Sequence, residues 1–282
     1  MKLLNKVPEV TLYFWIIKIL ATTVGETAAD YLNTTLNLGL TYTTAVMAGF
    51  LTVALFFQFR LKRYLPAVYW LAVVLISVVG TLITDNLIDN FGVTLVTTTI
   101  VFSVALAAIF AAWFASEKTL SIHTIVTTKR EAFYWLTVLF TFALGTAAGD
   151  LTAERLAVGY WKSALIFGVL IAVVYGAHVR FRLNAVLAFW VAYILTRPLG
   201  ASIGDFLSQP RANGGIGLGT TTTSAIFLLT ILAVVVFLTI TKRDRTEPES
   251  ALATDGGHAE QGAHVVVLGR LALSPDVSDG NR

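Results

Sequence analysis

The chain has 282 residues, 56% of them hydrophobic and only 13% charged, with a formal net charge of +3. An ordinary soluble domain carries about 25% charged residues, so this composition and a mean hydropathy of +0.75 point away from a soluble enzyme or nucleic-acid module. The absence of cysteine excludes disulfides and thiolate metal sites.

The apolar residues fall into blocks of roughly 20, the length that crosses a ~30 Å hydrocarbon core. Eight spans are predicted, at 9–31, 39–59, 65–87, 93–115, 132–153, 160–179, 184–206 and 218–241. The first block is too long for a cleavable leader, and no small-residue cleavage site follows it. Residues 242–282 are polar and rich in Gly, Pro and acids, which predicts a disordered tail holding His258 and His264.

Basic residues set the expected orientation. Lys2, Lys6, Arg60, Lys62, Arg63, Lys118, Lys129, Arg130, Arg180, Arg182, Lys242, Arg243 and Arg245 fall on one side, against Arg155, Lys162 and Arg211 on the other. Both termini are therefore expected in the cytoplasm. A sequence pI of about 9.1 then reflects basic loops rather than nucleic-acid binding.

A gapless internal repeat runs through the chain. Trp15, Trp70, Trp135 and Trp190 each lie ten residues before Gly25, Gly80, Gly145 and Gly200. Each glycine lies five residues before Asp30, Asp85, Asp150 and Asp205. The unit is expected to be a two-helix hairpin, its even helix opened by Gly39, Gly92, Gly159 or Gly219. With two spans each, the four units insert in parallel. The tryptophans are spaced by 55, 65 and 55 residues, which divides the chain further. The expected parts are a first membrane half (1–115), a cytoplasmic linker (116–130), a second half (131–241) and the tail (242–282).

The fold class expected is thus an all-α polytopic membrane protein of eight transmembrane helices. This repeat of Trp, Gly and Asp over about residues 9–243 resembles a bacterial family of four-repeat membrane-anchored proteins, a tandem repeat of unknown function. The resemblance implies an inner-membrane location and supplies no catalytic residues.

The chemistry has to come from ionisable residues at membrane depth, which are expensive there unless they serve a purpose. The four repeat aspartates lie near helix C-termini, where the helix dipole opposes an anion. Asp89 and Glu154 follow their aspartates by four residues, on the same helical face. Lys18, Thr22, Glu26 and Asp30 form an i, i+4 stripe, and Arg197 lies eight residues before Asp205. Either Lys18 or Arg197 is a candidate partner for Glu26. The glycines are expected at close helix contacts, and the tryptophans at the interface or between units.

These residues predict a polar route along the bundle interior. Carboxylate oxygens suit Mg, Mn or Ca, so Glu26, Asp30, Asp85, Asp150 and Asp205 are candidate metal ligands. His123 and His178 lie at helix ends, outside that route. The expected function is a secondary transporter or exporter of a small solute, with manganese-like divalent cations favoured and protons as possible coupling ions. An organic-anion transporter using Arg197 and Lys18 is one alternative. A non-transporting scaffold or sensor is another. No cofactor, nucleic-acid partner or enzymatic activity is expected. The stretch "NGGIGLG" (213–219) has no preceding strand and is not a phosphate loop.

Overall fold

The computed structural model describes residues 5–244. The predicted tail from residue 245 onward, with His258 and His264, lies outside the described residues.

Among the described residues eight long α-helices fall within a few residues of the predicted spans. They are α1 (Leu12–Asp30), α2 (Leu40–Arg60), α3 (Pro66–Asp85), α4 (Leu95–Glu117), α5 (Thr128–Asp150), α6 (Tyr160–Phe181), α7 (Ala185–Ser208) and α8 (Thr220–Thr241). Thr11, Thr94, Thr127 and Asn184 cap helix starts through side-chain oxygens. Gly39, Gly159 and Gly219 precede α2, α6 and α8 with φ of 76°, 84° and 78°, a conformation that favours glycine. Seven helices are long and apolar enough to cross a membrane. The apolar run of α1, which is not among them, is interrupted by Lys18, Thr22, Thr23, Glu26 and Thr27. Together they suggest a multi-pass membrane protein.

The odd helices form a closed inner ring, in which α1 packs on α3 and α7, and α5 also packs on α3 and α7. The even helices lie outside it. The apolar windows of α3, α5 and α7 are 67, 61 and 50% buried, against 17, 17, 6 and 28% in α2, α4, α6 and α8. Outer helices that stay apolar on their exposed faces suit a lipid surroundings.

Each outer helix packs on the odd helix of the next repeat: α2 on α3, α4 on α5, α6 on α7, and α8 back on α1. The packing pair is therefore offset by one helix from the two-helix hairpin expected for the sequence repeat. Connection geometry explains the offset. The links from α2 to α3 and from α6 to α7 are only a few residues long, which forces antiparallel neighbours.

Two belts of contact run round the ring. The aromatic residue before each tryptophan meets the tryptophan of the next odd helix. Ring centroids lie 5.6 Å apart for Phe14 and Trp70, 5.4 Å for Tyr69 and Trp135, 6.2 Å for Tyr134 and Trp190, and 5.7 Å for Phe189 and Trp15. All four pairs are tilted, with interplanar angles of 56°, 47°, 54° and 49°, and avoid the unfavourable face-to-face sandwich. The repeat tryptophans thus clasp neighbouring units together.

The second belt is built on glycine. A Cβ added to Gly25 would overlap Ser77, at Gly80 it would press on Phe142, at Gly145 on Arg197, and at Gly200 on Thr22. In every case the neighbour stands three residues before the glycine of its own repeat. The glycines therefore let the odd helices touch backbone to side chain, in one register, four times.

The end of the ring that carries the tryptophans is sealed. Lys6 Nζ donates to Glu131 Oε2 at 2.6 Å and to the Phe59 carbonyl at 3.2 Å, and Gln58 Nε2 reaches Glu131 Oε1 at 3.2 Å. Trp190 Nε1 donates to the Leu120 carbonyl at 2.9 Å. The Tyr64 hydroxyl donates to Asp244 at 2.5 Å, and the Glu9 amide to the Asp244 carbonyl at 3.0 Å.

At the other end, a π-helical turn follows the repeat aspartate in three units, over Tyr31–Thr35, Asn86–Asn90 and Leu151–Arg155. Such turns frequently occur at functional sites. The fourth unit has none, because Pro210 cannot continue α7.

Candidate functional site

The glycine belt fixes which side chains point at the ring axis. The position three residues before the glycine holds Thr22, Ser77, Phe142 and Arg197. The position one after it holds Glu26, Thr81, Thr146 and Ala201. Arg197 is fully buried, and its guanidinium crosses the axis to meet the other helices. Its Nη2 donates to Glu26 Oε2 at 3.0 Å, to Thr146 Oγ1 at 2.7 Å and, by a short contact, to Thr81 Oγ1. Its Nη1 donates to the Thr22 carbonyl at 3.2 Å. The small Ala201 of α7 leaves the fourth quarter open, and the bare Gly145 accommodates the Arg197 stem.

Of the two candidate partners for Glu26, Arg197 is the one that meets it. Lys18 does not. Its Nζ is buried and has no hydrogen-bond partner among the described residues. It lies instead 3.5 Å from the centroid of the Phe142 ring and 4.0 Å from that of Tyr193, a cation–π arrangement. The Arg197 guanidinium stands 5.7 Å from the same Phe142 ring.

Beyond Arg197, toward the aspartate end, carboxylates converge. Ligand oxygens of Glu26, Asp150 and Asp205 lie within 4.8 Å of one another. Asp30 and Asp85 stand outside this trio, although their charges interact with Glu26. Among the described residues no side chain donates a hydrogen bond to the carboxylate of any of the four repeat aspartates. Asp89 and Glu154 are exposed, and Tyr160 donates to Glu154 at 3.1 Å. The four-residue spacing from their aspartates crosses the start of a π-turn, which the sequence did not signal.

This arrangement is a ring of acids with a floor made by one guanidinium. A divalent ion binds oxygen ligands at roughly 2.0–2.6 Å, so opposed ligands lie about 4–5 Å apart. The spacing of the acid trio matches that requirement. Many helix hydroxyls, by contrast, are spent on their own helices. Thr98 and Thr223, at the starts of α4 and α8, donate to carbonyls four residues back.

The comparisons agree with the repeat seen in the coordinates. The family model described as Repeat of Unknown Function (DUF347) matches four successive stretches, residues 13–64, 68–119, 133–184 and 188–244. The chain belongs to this repeat family. Neither a curated protein nor a solved structure matches it.

Each matched repeat of the family contains one odd and one even helix, so its boundaries cut between packing partners. Thr81, Thr146 and Phe142 went unnoticed in the sequence, although the register was available: Thr81 and Thr146 share the column of Glu26. Glu131 and Lys6 occur once each, outside the repeated columns, and no spacing pointed to their pairing.

Proposed function

We propose that the protein is a secondary transporter or exporter of a small solute, with a divalent metal cation such as manganese as the favoured substrate. The supporting observation is the convergence of Glu26, Asp150 and Asp205 within 4.8 Å at the aspartate end of the ring. These are hard oxygen ligands, and their site is shared between three helices of the inner ring. The carboxylates of the repeat aspartates accept no hydrogen bond from described side chains, which leaves their lone pairs free for an incoming ion. A scaffold built for rigidity would tie them up in closed networks.

The membrane arrangement belongs to the same proposal. Both termini and the tryptophan end face the cytoplasm of a bacterial inner membrane, and the aspartate end faces outward, in keeping with the basic-residue bias. Cation passage then requires the Arg197–Glu26 contact to open, and proton exchange at the carboxylates compensates the charge moved. The organic-anion alternative is less favoured. Its substrate would pass four aspartates to reach a guanidinium already held by three side chains.

The test is manganese flux in vesicles containing the purified protein, followed with an enclosed metal-sensitive dye. Asp150→Asn and Asp205→Asn are expected to abolish flux while leaving the melting temperature within a few degrees. Unchanged flux in both variants, or metal-independent anion flux that needs Arg197, overturns the proposal.

A further inference from the structure

The pocket that holds the Arg197 guanidinium has features that an arginine site does not need. A guanidinium is a planar fork of five N–H donors and pairs best with two parallel acceptors. Here the oxygens crowd one nitrogen. Nη2 faces Glu26, Thr81 and Thr146, whereas the buried Nε has no partner. Nη1 meets only the Thr22 carbonyl, so the three side-chain oxygens are gathered around a point.

The two threonines, whose hydroxyl oxygens lie 3.5 Å apart, are also placed to accept from the axis. A hydroxyl has one proton to give. Thr81 gives its proton to the Ser77 carbonyl at 3.2 Å, and Thr146 gives its proton to the Phe142 carbonyl at 3.3 Å. Their remaining lone pairs face the axis. With the Glu26 carboxylate, three oxygen-bearing groups from three helices surround the Nη2 position, all of them buried, and the Thr22 carbonyl stands beside them at Nη1. Hard cations are bound by oxygen sets of this kind.

We infer that this pocket is a second cation site on the axis, one that the protein fills with its own tethered cation at rest. The inference rests on the transport proposal and deepens it by naming the next stop after the acid trio. Glu26 belongs to both sites, since it joins Asp150 and Asp205 above and Arg197 below. A cation captured by the trio competes with Arg197 for Glu26. Once Glu26 is drawn away, the guanidinium loses its one carboxylate partner among the described residues, and the oxygen set becomes free for the incoming ion. The Phe142 ring, 5.7 Å from the guanidinium, offers the displaced side chain an alternative face.

The experiment is chemical rescue of Arg197→Ala in detergent, read as melting temperature. The truncated side chain leaves the oxygens unpaired, and a ligand that binds only the folded state raises stability by mass action. Millimolar guanidinium or ammonium is expected to raise the melting temperature by several degrees, with no comparable gain in the wild type or with the bulkier choline. Adding Thr81→Val and Thr146→Val to Arg197→Ala is expected to abolish that gain. Manganese is expected to compete, shifting the guanidinium response to severalfold higher concentration. A gain that is absent, or that survives loss of both hydroxyls, overturns the site. A guanidinium response indifferent to manganese overturns the sharing of Glu26.

If Arg197→Ala cannot be recovered even with guanidinium present, Arg197→Lys replaces it. Its ammonium is the point-like cation that the oxygens favour. It is expected to fold and to melt within a few degrees of the wild type, provided that Thr81 and Thr146 are intact. Failure of Arg197→Lys to fold overturns the inference. None of these readouts measures transport, so a protein that rescues normally but moves no manganese refutes the transport proposal and leaves the cation pocket standing.

Discussion

Lys6 Nζ lies 2.6 Å from the Glu131 carboxylate, and the two residues are 125 positions apart in sequence. Glu131 is 1% exposed, so this pair ties the segment before α1 to the first turn of α5 inside the protein. Removing one partner from a buried pair strands the other charge at a cost of about 3–5 kcal/mol. Glu131→Ala is therefore expected to lower thermal stability strongly, and Glu131→Gln less, because Gln can still accept from Lys6. The double variant Lys6→Met with Glu131→Met should recover most of the loss. Melting curves of the four proteins in one detergent check this.

The packing of the inner ring predicts a contrast between two buried glycines, Gly80 of α3 and Gly149 of α5. A Cβ at Gly80 would meet Phe142 Cβ at 2.8 Å and the Ala143 amide at 3.2 Å, whereas one at Gly149 would meet Ala201 and Pro198 at an ordinary 3.5 Å. Gly80→Ala is expected to destabilise by about 1–3 kcal/mol, the usual cost of overpacking. Gly149→Ala should be neutral or stabilising by about 0.5–1 kcal/mol, since helical glycine is itself unfavourable. Equal effects at the two positions would contradict the proposed register of the inner ring.

A pH-dependent contact sits at the tryptophan end. His123 Nε2 lies 3.5 Å from Glu9 Oε2, and the Glu9 carboxylate raises the histidine pKa above its ordinary value. A group whose pKa is raised on folding stabilises fully below its unfolded pKa of about 6.5 and loses that contribution as pH climbs through the raised value. The wild type should therefore melt above His123→Gln in mildly acidic buffer, and the difference should vanish at alkaline pH. A difference that grew with pH would assign the opposite sign to the contact.

Orientation is open to direct measurement. A reporter joined after Arg245 is expected to signal from the cytoplasm, and one inserted in the 213–217 loop from the opposite side. The reverse pattern would overturn the proposed topology and place the acid trio on the cytoplasmic face.

The columns of Trp, Gly and Asp were legible in the sequence because repetition isolates them from background. Their purpose was only half legible. Hydrophobic length gave the helices, and parallel units implied that equivalent residues share a depth. No single repeat reveals that Gly145 meets Arg197 or that Phe189 meets Trp15, because each contact links columns of neighbouring repeats. The partner of Glu26 was undecided for the same reason. Lys18 is on the same helix and closer in sequence, yet Arg197 reaches Glu26 from the neighbouring helix α7. The π-turns had no signal, since "YLNTT", "NLIDN" and "LTAER" share no residue pattern.

The junction of α8 with α1 has the same form as the junctions of α2 with α3, α4 with α5 and α6 with α7, but no loop spans it. Packing holds the two ends side by side, together with bonds from the Glu9 amide to the Asp244 carbonyl, from Ser224 Oγ to Thr27 Oγ1 and from Arg243 Nη1 to the Tyr13 hydroxyl. The circle therefore has no obligatory starting point. A permuted chain opened between α2 and α3, with residues 244 and 9 joined by a short linker, should close into the same molecule. A fragment containing α1–α4 has the opposite property. Its α1 lacks an outer partner and its α4 lacks an inner one, needs that a second copy of the fragment supplies reciprocally. Such a fragment is therefore expected to dimerise about a two-fold axis, each copy standing in for one half of the complete chain.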